Sequence, residues 1–567
     1  MSAQATIGPR VWLAAALVGG AFLVLAGRAW QLQVLRSDFL DRQAAARQQR
    51  VVTIPAHRGA LLDRHGEPLA VSTPVESVWV DPGAFAFGAE AVARLAEVLE
   101  LDAAALRRRL EAQRGRAFVY VKRAVPPQEA EAVRALGLPG VYLQREYRRY
   151  YPTAEVSAHV LGFTDIDDRG QEGLELAFDA HLAGRPGRKR VLQDRLGRVI
   201  EDLDRMAAAE PGRDLVLSLD KRLQYAAYRA LKAAVQAHGA TAGSLVLLDV
   251  HTGEVLAMVN QPAFNPNNRD TLVGGRYRNR AVTDVFEPGS TMKPFTVAVA
   301  LEAGVLDPRR RLPTAPGRLR IGAHVIHDER NYGALTAEEV IRHSSNVGAA
   351  RIALALEPAV LWQGYRRFGL GQSTGSGFPG ESAGVLGEWA GWSRLEQATL
   401  AFGYGLAVTP LQLARAYAVL AAGGVARPVT FLRQDGPVPG ERVLSLSTAR
   451  ALRDMLVSVV ESGTGRRAAV TGYRVAGKTG TVRKALPGGG YSDDEHVAVF
   501  AGFAPAAAPR LAAVVVIDRP RGDRYYGGEV AAPVFAEVMA DALRLLDVPP
   551  DDLPALYVQA RGGEGTT

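Results

Sequence analysis

Apolar and polar residues follow patterns along residues 212–548 that predict strands, then helices, then strands. DLVLSLD (214–220) predicts a strand, DKRLQYAAYRALKAAVQAHG (220–239) an amphipathic helix, and AGSLVLLDVHTGEVLAMV (242–259) two strands joined by a turn. After a mainly helical middle, strand patterns return in VAGKTGTVR, HVAVFAGFAP and RLAAVVVIDRP, and a helix closes the region. The order predicts an α+β fold whose two ends meet in one antiparallel sheet.

The N-terminal half is less regular. VVTIPAHRGALLDRHGEPLAVS (51–72) predicts two strands around a turn in which Gly66 supplies a positive φ, and AEAVARLAEVLELDAAALRRRLEAQ (89–113) predicts a helical stretch. Residues 29–50 resemble a polar helix. Residues 80–210 contain no cluster of a nucleophile, a base and metal ligands, so we interpret this region as a scaffold.

The first hydrophobic segment is VWLAAALVGGAFLVLAG (11–27), which has no charged residue. Together with the weaker apolar run that follows, it is long enough to cross a bilayer as a helix, and Trp12 and Trp30 suit the two membrane interfaces. The alternative is a cleavable signal peptide, because Val24-Leu25-Ala26 provides a small residue at which a peptidase could cut. We expect an uncleaved anchor, since the apolar pattern continues past this position.

The flanking charges do not settle the orientation of this segment. One arginine, Arg10, precedes it, and five follow it, at positions 28, 36, 42, 47 and 50. A count of positive charges would keep the body of the protein in the cytoplasm, but long domains are translocated regardless of such charges. The function of the body must therefore decide the topology.

Composition narrows the possible chemistry. The 567 residues are enough for two or more folded units. The chain has no cysteine, which excludes disulfides, thiolate catalysis and cysteine-based metal sites. The formal net charge is +8, yet the arginines are scattered and form no basic stripe with interleaved aromatic residues, so nucleic acid is not the expected partner. An acidic polymer or an anionic membrane surface is compatible with this charge.

FEPGSTMKPF (286–295) contains one of only seven lysines among 67 basic residues. The Pro-Gly turn and the pattern after it place Ser290 in the first turn of a helix, with Lys293 on the same face. A serine nucleophile needs a neighbouring base, and lysine can be that base only when neutral. Burial and the positive end of a helix lower the pKa of an amine, whereas a guanidinium stays charged. Pro294 leaves the Ser290 carbonyl without its usual helical donor.

Two further motifs contain candidate catalytic residues. A capping box at Thr336 and Glu339 predicts a helix, and Ser344-Ser345-Asn346 interrupts its apolar periodicity before a new helix at about Val347. Such a break can project a hydroxyl that relays a proton and an amide that holds a peptide. An ordinary helix junction is the alternative.

The third motif is Lys478-Thr479-Gly480-Thr481. On a strand, the two threonines share one face, and Lys478 and Gly480 share the other. Gly480 permits close approach of a ligand, and the Thr481 N–H can donate to an oxyanion. The hydroxyl groups of the two threonines can donate hydrogen bonds to a carboxylate. The alternative is an edge strand that happens to contain a glycine.

In this order the three motifs resemble the signature of penicillin-binding proteins and class A β-lactamases, with Ser-Ser-Asn in place of Ser-Asp-Asn. SGTGRRAAV, FGYGLAVTPLQLARAYAVLA and YYGGEVAAPVF resemble class B penicillin-binding proteins. LLDVHTGEVLAMVNQPAFNPNN and NRAVTDVFEPGSTMKPF are similar to the division-specific (FtsI) type. RGALLDRHGEPLA and AHVLGFTDIDDRGQEGLE resemble the non-catalytic pedestal of that type. The resemblance covers nearly the whole chain.

The resemblance implies a peptidoglycan D,D-transpeptidase that forms an acyl-enzyme, reacts covalently with β-lactams and needs no metal or organic cofactor. Ser290 would be the nucleophile, Lys293 the base, Ser344 the proton relay and Asn346 an anchor for the substrate amide. Lys478 would supply positive potential, and Gly480 would lie in the substrate site. Thr479 and Thr481 would bind the substrate carboxylate. The N–H groups of Ser290 and Thr481 would form the oxyanion hole.

It also implies an organisation and a location. The expected fold is a penicillin-binding transpeptidase domain, with an antiparallel sheet between helices and a helical subdomain, after an elongated mixed α/β pedestal and one transmembrane helix. The predicted divisions are a cytoplasmic tail (1–10), the anchor (11–35), the juxtamembrane helix and pedestal (36–211), the transpeptidase domain (212–548) and a flexible tail (549–567). The N-terminus would lie inside and the catalytic domain outside the cytoplasmic membrane, with an FtsW-type glycosyltransferase and other division proteins as partners.

Four alternatives to a septal transpeptidase stay open. An elongation-specific transpeptidase and a D,D-carboxypeptidase would use the same acylation residues. A β-lactamase or β-lactam sensor is disfavoured by the pedestal and by the absence of a separate signalling domain in the sequence pattern. A catalytically idle division scaffold would have no need of a lysine base.

Overall fold

The computed structural model describes residues 8–36, 49–85, 88–116, 118–193, 199–268, 274–486 and 488–552. Most of the predicted juxtamembrane helix (29–50) and C-terminal tail (549–567) falls outside these ranges. The chain forms two compact units. The first comprises residues 1–57, 74–148 and 184–212, and the second 58–73, 149–183 and 213–567. Segments 58–73 and 149–183 precede the predicted domain boundary at residue 212 but pack in the second unit.

The described helices and strands are numbered in chain order. The α-helices α1–α18 are Pro9–Trp30, Ala89–Val98, Ala103–Ala112, Pro127–Leu136, Ala158–Leu161, Gly173–Ala177, Asp179–Leu182, Lys221–Ala237, Arg280–Thr283, Lys293–Glu302, Ala337–Arg342, Asn346–Leu354, Pro358–Arg367, Arg394–Leu400, Pro410–Ala421, Leu446–Ser462, Gly527–Val530 and Ala532–Leu545. The strands β1–β21 are Gln49–Ile54, Leu61–Leu62, Pro68–Val80, Val119–Val125, Val141–Tyr150, Gly187–Gln193, Val199–Ala207, Leu215–Val216, Ala242–Asp249, Val255–Gln261, Leu312–Pro313, Arg318–Ile321, His324–His327, Ala334–Leu335, Val385–Leu386, Leu406–Ala407, Val425–Ala426, Glu441–Arg442, Ala476–Ala485, Tyr491–Ala504 and Leu511–Asp518.

The second unit is built around a five-stranded antiparallel sheet in the order β10-β9-β21-β20-β19. The early strands β9 and β10 therefore lie beside the late strands, which confirms the predicted meeting of the two ends. Every residue of β9 and β10 is buried, since helices cover both faces of the sheet. Helices α8 and α18 pack on one face, and α15 packs on the other.

Alternate residues of the strands in this sheet contribute to two separate hydrophobic cores. Leu245 and Phe500 pack with the helices of the first face, whereas Val246 and Val499 face the large helical core on the other. This division follows from the period of two in a strand, which sends neighbouring side chains to opposite faces. The catalytic candidate Ser290 lies in the turn before α10, and Lys293 is the first residue of this helix, whose side chains are nearly all buried in the second of these cores.

The first unit is a mixed α/β assembly. Strand β4 pairs with the C-terminal half of β3, β5 also pairs with β3, and β1, β6 and β7 form a three-stranded sheet. The predicted helical stretch 89–113 is two helices, α2 and α3, because the chain turns at Glu100 with a positive φ and Asp102 caps the second helix. In the second unit, the predicted turn between β2 and β3 is present, with Gly66 at φ +86°.

The N-terminal helix α1 continues through a π-helical turn, Gln31–Leu35. Residues Trp12–Val34 are long and apolar enough to cross a membrane, and none of their most apolar stretch is buried in the protein. A helix with apolar residues all round and no protein partner needs lipid around it. The segment therefore fits a single-pass membrane anchor.

A buried ion network joins three segments of the second unit. Glu175 is fully buried and accepts hydrogen bonds from Arg58 Nε at 2.8 Å and from Arg149 Nε at 2.6 Å. Arg58 also donates to Asp179 Oδ1 at 2.6 Å, and Arg149 donates to the Gly59 carbonyl at 2.8 Å. Each buried charge thus has a charged partner, which offsets the penalty of removing it from water.

We expect Glu175→Gln to destabilise the protein by about 3–5 kcal/mol, because it leaves two guanidinium groups buried with too little negative charge. The matched control is Glu111→Gln, which removes the partner of Arg107 in an exposed pair and should change stability by less than about 1 kcal/mol. Urea unfolding of the detergent-solubilised chains, followed by tryptophan fluorescence, measures both. Equal effects of the two substitutions would contradict the role given to the network.

Candidate active site

Ser290 lies in a 3₁₀ turn, Gly289–Met292, that leads directly into α10. Because Pro294 has no N–H, the Ser290 carbonyl cannot receive the usual α-helical hydrogen bond. The Lys293 N–H donates to this carbonyl instead, one residue earlier than in an α-helix. The proline thus favours the tight turn that places Ser290 just ahead of the helix, close to its predicted position.

Two glycines fix this turn against the loop that precedes β16. The Gly289 N–H donates to the Gly403 carbonyl at 3.2 Å, and both residues have a positive φ. A Cβ on Gly403 would lie 2.2 Å from the Gly289 carbonyl oxygen, and a Cβ on Gly289 would lie 2.4 Å from a methyl group of Val482. Only glycine allows backbones to approach so closely, so these two positions hold Ser290 beside β19.

Lys293 is the centre of the site. Its side chain is fully buried, and its Nζ lies 2.9 Å from Ser290 Oγ. The same nitrogen lies 2.5 Å from the Ser344 carbonyl oxygen, 3.0 Å from Ser344 Oγ and 2.8 Å from Asn346 Oδ1. Ser290, Lys293 and two residues of the second motif are therefore in direct contact.

These contacts suit a neutral amine. A carbonyl oxygen and an amide oxygen can only accept hydrogen bonds, so the Ser344 carbonyl and Asn346 Oδ1 take the two N–H groups of a neutral lysine. The lone pair then remains for a hydroxyl donor, and Ser290 Oγ–H is within reach at 2.9 Å. This is the arrangement in which an amine can remove the proton of the serine hydroxyl.

Electrostatics favours the same protonation state. Burial lowers the pKa of Lys293 well below its usual range, and the nearby charge of Lys478 lowers it further, while Asp328 opposes the shift. Burial also lowers the pKa of Lys478 to about 7. An arginine in either place would stay charged and would be far more costly to bury.

Ser344 lies between α11 and α12, in a left-handed conformation with φ +59°. Ser345 caps α12 by accepting a hydrogen bond from the Gly348 N–H. Asp328 stabilises this junction between the two helices. Its carboxylate accepts hydrogen bonds from Ser345 Oγ at 2.6 Å and from the Val347 N–H at 2.9 Å. The predicted helix break is confirmed, as is the capping box that begins α11.

The third motif lies on β19, at an edge of the five-stranded sheet. Lys478 is fully buried, and its Nζ donates to Ser344 Oγ at 3.1 Å. Ser344 Oγ therefore bridges the two lysines. A Cβ on Gly480 would lie 2.9 Å from the Pro288 carbonyl oxygen, so the glycine lets the strand approach the Ser290 turn. Lys478 and Gly480 share the face toward that turn, as predicted.

The two threonines of the motif lie on the opposite face. Thr479 Oγ1 is 2.7 Å from Thr464 Oγ1, and Thr481 Oγ1 accepts a hydrogen bond from the Gly527 N–H at 2.9 Å. Thr464 and Gly527 belong to SGTGRRAAV and YYGGEVAAPVF, two of the stretches that resemble class B penicillin-binding proteins. Neither residue was assigned a role from the sequence.

All the candidate residues thus occur within one cluster of contacts. Sequence reasoning missed Asp328 and Thr464 as members of it. The signal for Asp328 was weak, because an acidic residue after a short strand also occurs in ordinary turns. The signal for Thr464 was its place in SGTGRRAAV, a stretch whose resemblance was noted but whose individual residues were not interpreted.

Comparison with known proteins agrees with this geometry. The family model of the penicillin-binding protein transpeptidase domain matches residues 243–540, and that of the penicillin-binding protein dimerisation domain matches residues 53–217. The chain belongs to the family of penicillin-binding protein transpeptidases. The first match includes all the candidate site residues, and the second covers most of the N-terminal region.

The chain is 45% identical to peptidoglycan D,D-transpeptidase FtsI of Escherichia coli over 96% of this chain and 93% of that protein. It is 43% identical to the probable peptidoglycan D,D-transpeptidase PenA of Neisseria meningitidis over 93% of this chain and 91% of that one. These relatives place the chain with class B penicillin-binding proteins, as the motifs predict.

Solved structures of relatives share the fold. Penicillin-binding protein 3 of Mycobacterium tuberculosis, complexed with aztreonam, matches with a TM-score of 0.68 and 30% identity over 88% of this chain and 98% of that chain. The transpeptidase domain of Burkholderia pseudomallei penicillin-binding protein 3 matches with a TM-score of 0.55 and 45% identity over 60% of this chain and 98% of that chain.

We expect Lys478→Gln to move the rising limb of the pH profile of Ser290 acylation to higher pH. Loss of a positive neighbour makes protonation of Lys293 easier and raises its pKa, so a higher pH is needed to produce the neutral base. Acylation rates with a fluorescent penicillin, from about pH 5 to about pH 9, measure the midpoint. Lys484→Gln, on the same strand but paired with Asp518 at 2.8 Å, should leave it unchanged. A midpoint that stays fixed or falls in Lys478→Gln would contradict the electrostatic coupling.

Proposed function

We propose that the protein is the septal peptidoglycan D,D-transpeptidase of its cell, acting by serine acyl transfer. The observation that carries this proposal is the contact of a fully buried lysine amine with Ser290 Oγ at 2.9 Å. Family membership and the similarity to FtsI over 96% of the chain support the choice of substrate.

In the first half of the reaction, neutral Lys293 accepts the proton of Ser290 Oγ as this oxygen attacks the carbonyl carbon of the penultimate D-alanine. The C–N bond to the terminal D-alanine then breaks, and a proton must reach the leaving amine. Ser344 Oγ contacts Nζ of both Lys293 and Lys478, so it can relay that proton. The products are a Ser290 ester and free D-alanine.

The remaining residues bind the donor peptide. Thr479 and Thr481 hold the terminal carboxylate, Asn346 holds a substrate amide, and the positive charge of Lys478 attracts the carboxylate. The N–H groups of Ser290 and Thr481 stabilise the oxyanion that forms on the attacked carbonyl. Gly480 allows the peptide backbone to approach β19, which is an edge strand with backbone groups available for pairing.

In the second half, an amine of a neighbouring stem peptide attacks the Ser290 ester. A C–N bond forms, the ester C–O bond breaks, and Ser290 Oγ regains a proton while the two stems become cross-linked. A β-lactam acylates Ser290 by the same first step but leaves an ester that resists attack, and it therefore acts as a covalent inhibitor.

The substrate determines the topology. Peptidoglycan stems lie outside the cytoplasmic membrane, so the N-terminus is inside, α1 is the single span, and the catalytic unit is extracytoplasmic. An FtsW-type glycosyltransferase and other division proteins are the partners that the similarity to FtsI suggests. Peptidoglycan strands made by such a glycosyltransferase would supply the donor and acceptor stems.

We expect Lys293→Arg to place a permanent charge where the wild type has a neutral amine and to lower Ser290 acylation by at least about a hundredfold, because a guanidinium cannot accept the serine proton. Membranes that contain the wild type, Lys293→Arg or Ser290→Ala are labelled with a fluorescent penicillin and compared. Ser290→Ala should take no label at all. Covalent labelling of folded Ser290→Ala would refute the nucleophile, and normal labelling of Lys293→Arg would refute the base.

We expect cells depleted of the protein to form filaments, because a septal transpeptidase is needed only for division. Cell shape is followed by microscopy during depletion, and rescue is tested with the wild type and with Ser290→Ala. If depleted cells form filaments and only the wild-type protein restores division, the result supports a catalytic role at the septum. Round cells would assign the protein to elongation, and rescue by Ser290→Ala would make it a scaffold.

A further inference from the structure

A two-stranded hairpin of the second unit, β12–β13, lies beside the second catalytic motif. The two strands pair in antiparallel register. Arg318 lies opposite His327, and Arg320 is two residues further along β12. The His327 carbonyl, at the end of β13, accepts a hydrogen bond from Asn346 Nδ2 at 3.1 Å. The hairpin therefore reaches the catalytic cluster on the side of Asn346.

The two faces of this hairpin differ. Ile326 is buried in the large helical core, and Leu319 and Ile321 pack against the same core. Neighbouring side chains of a strand point to opposite faces, so Arg318 and Arg320 lie on the face away from that core. Both arginines are exposed. The hairpin thus presents a basic face to solvent, directly beside the catalytic cluster.

Arg330, three residues after β13, adds a third positive charge. Its guanidinium carbon lies 5.0 Å from the centre of the Tyr332 ring, and this ring stacks on His343 at 5.2 Å between centroids. A cation over an aromatic face is attracted by the ring. Because His343 directly precedes Ser344 in the chain, the stack fixes Arg330 to the segment that carries the second motif.

These three exposed arginines form what we call the basic surface: Arg318, Arg320 and Arg330. None of them forms an ion pair with another described residue. Asp328 uses its carboxylate to stabilise the junction at Ser344, and Glu329 is the one exposed acid between the hairpin and Arg330. The basic surface therefore carries an excess of positive charge that no neighbouring carboxylate neutralises.

The catalytic cluster has two sides. Strand β19, along which the proposed donor peptide binds, forms one side, and Asn346 with the hairpin forms the other. Ser344 Oγ lies between them, since it contacts Nζ of both Lys478 and Lys293. An acceptor stem must reach the Ser290 ester while the donor still occupies the β19 side. The side of the hairpin is therefore the one that remains for the acceptor.

We propose that the basic surface binds the acceptor stem peptide, with Arg318, Arg320 and Arg330 holding its carboxylates while its amine attacks the Ser290 ester. This inference rests on the transpeptidase function proposed above. A stem peptide that ends in D-alanine carries a terminal carboxylate, and a guanidinium group binds a carboxylate through paired N–H donors. The basic surface holds the acceptor and takes no part in making or breaking bonds.

The test separates the two halves of the reaction. The purified full chain in detergent is acylated with benzoyl-D-alanyl-thioglycolate, a thioester from which Ser290 Oγ displaces thioglycolate. The acceptors are stem tetrapeptides from the cell's own peptidoglycan, either unmodified or with their carboxyl groups converted to amides while the amine is protected. Chromatography measures transfer to each acceptor and hydrolysis by water, and KM and kcat are obtained for each acceptor.

We expect Arg318→Gln/Arg320→Gln to raise the KM for the unmodified acceptor about tenfold and to change kcat by less than about twofold. The KM for the amidated acceptor should not change, because this acceptor lacks the carboxylates that the guanidinium groups bind. Arg330→Gln alone should raise the KM for the unmodified acceptor about threefold. High salt should raise this KM more in the wild type than in the double variant.

The matched control is Arg450→Gln/Arg453→Gln, which removes two arginines of α16 and leaves the basic surface intact. Helix α16 begins beside Glu302, at the end of α10 remote from Ser290. This variant should keep the wild-type KM for both acceptors. Penicillin labelling of Ser290 shows that each variant is folded and can form the acyl-enzyme.

Three results would overturn the proposal. They are equal KM values of the wild type for the two acceptors, an unchanged KM in both variants of the basic surface, and a rise in KM that is the same for both acceptors. An equal rise in the control variant would also contradict it, because the net charge of the protein would then be the cause. Failure of the wild type to take penicillin at Ser290 would instead refute the transpeptidase function, so the two failures are distinguishable.

Discussion

The burial of one amine beside one hydroxyl is the constraint on which the rest of the structure depends. Lys293 can act as a base only if it is uncharged near neutral pH, and removal from water is the largest cause of its lowered pKa. Burial in turn requires that every polar atom around the amine be satisfied. The Ser344 carbonyl and Asn346 Oδ1 meet that need, and they leave the lone pair for Ser290.

This arrangement requires an unfavourable backbone conformation at one residue. Ser344 adopts a left-handed conformation, which costs a non-glycine residue about 1–2 kcal/mol. Asp328 offsets this strain by holding Ser345 and Val347 on the far side of the junction. The geometry that presents the Ser344 hydroxyl to both lysines therefore depends on a carboxylate that itself contacts neither of them in a hydrogen bond.

Close packing of backbone brings the three motifs together. Gly289 and Gly403 fix the Ser290 turn, and Gly480 lets β19 approach that turn. Strand β19 is at the edge of the sheet, and the fully buried strands β9 and β10 lie behind it.

The sequence alone predicted the main elements of the catalytic unit and the residues that are proposed to react. Periodicity predicted the sheet and the helix break at Ser344, the capping box predicted the helix before that break, and the rarity of lysine drew attention to Lys293. Tertiary structure alone decided what depends on distant contacts. It placed residues 58–73 and 149–183 in the second unit and paired Asp328 with the Ser345 hydroxyl. Local patterns report the preferences of neighbouring residues, whereas burial and pairing arise between segments that lie far apart in the chain.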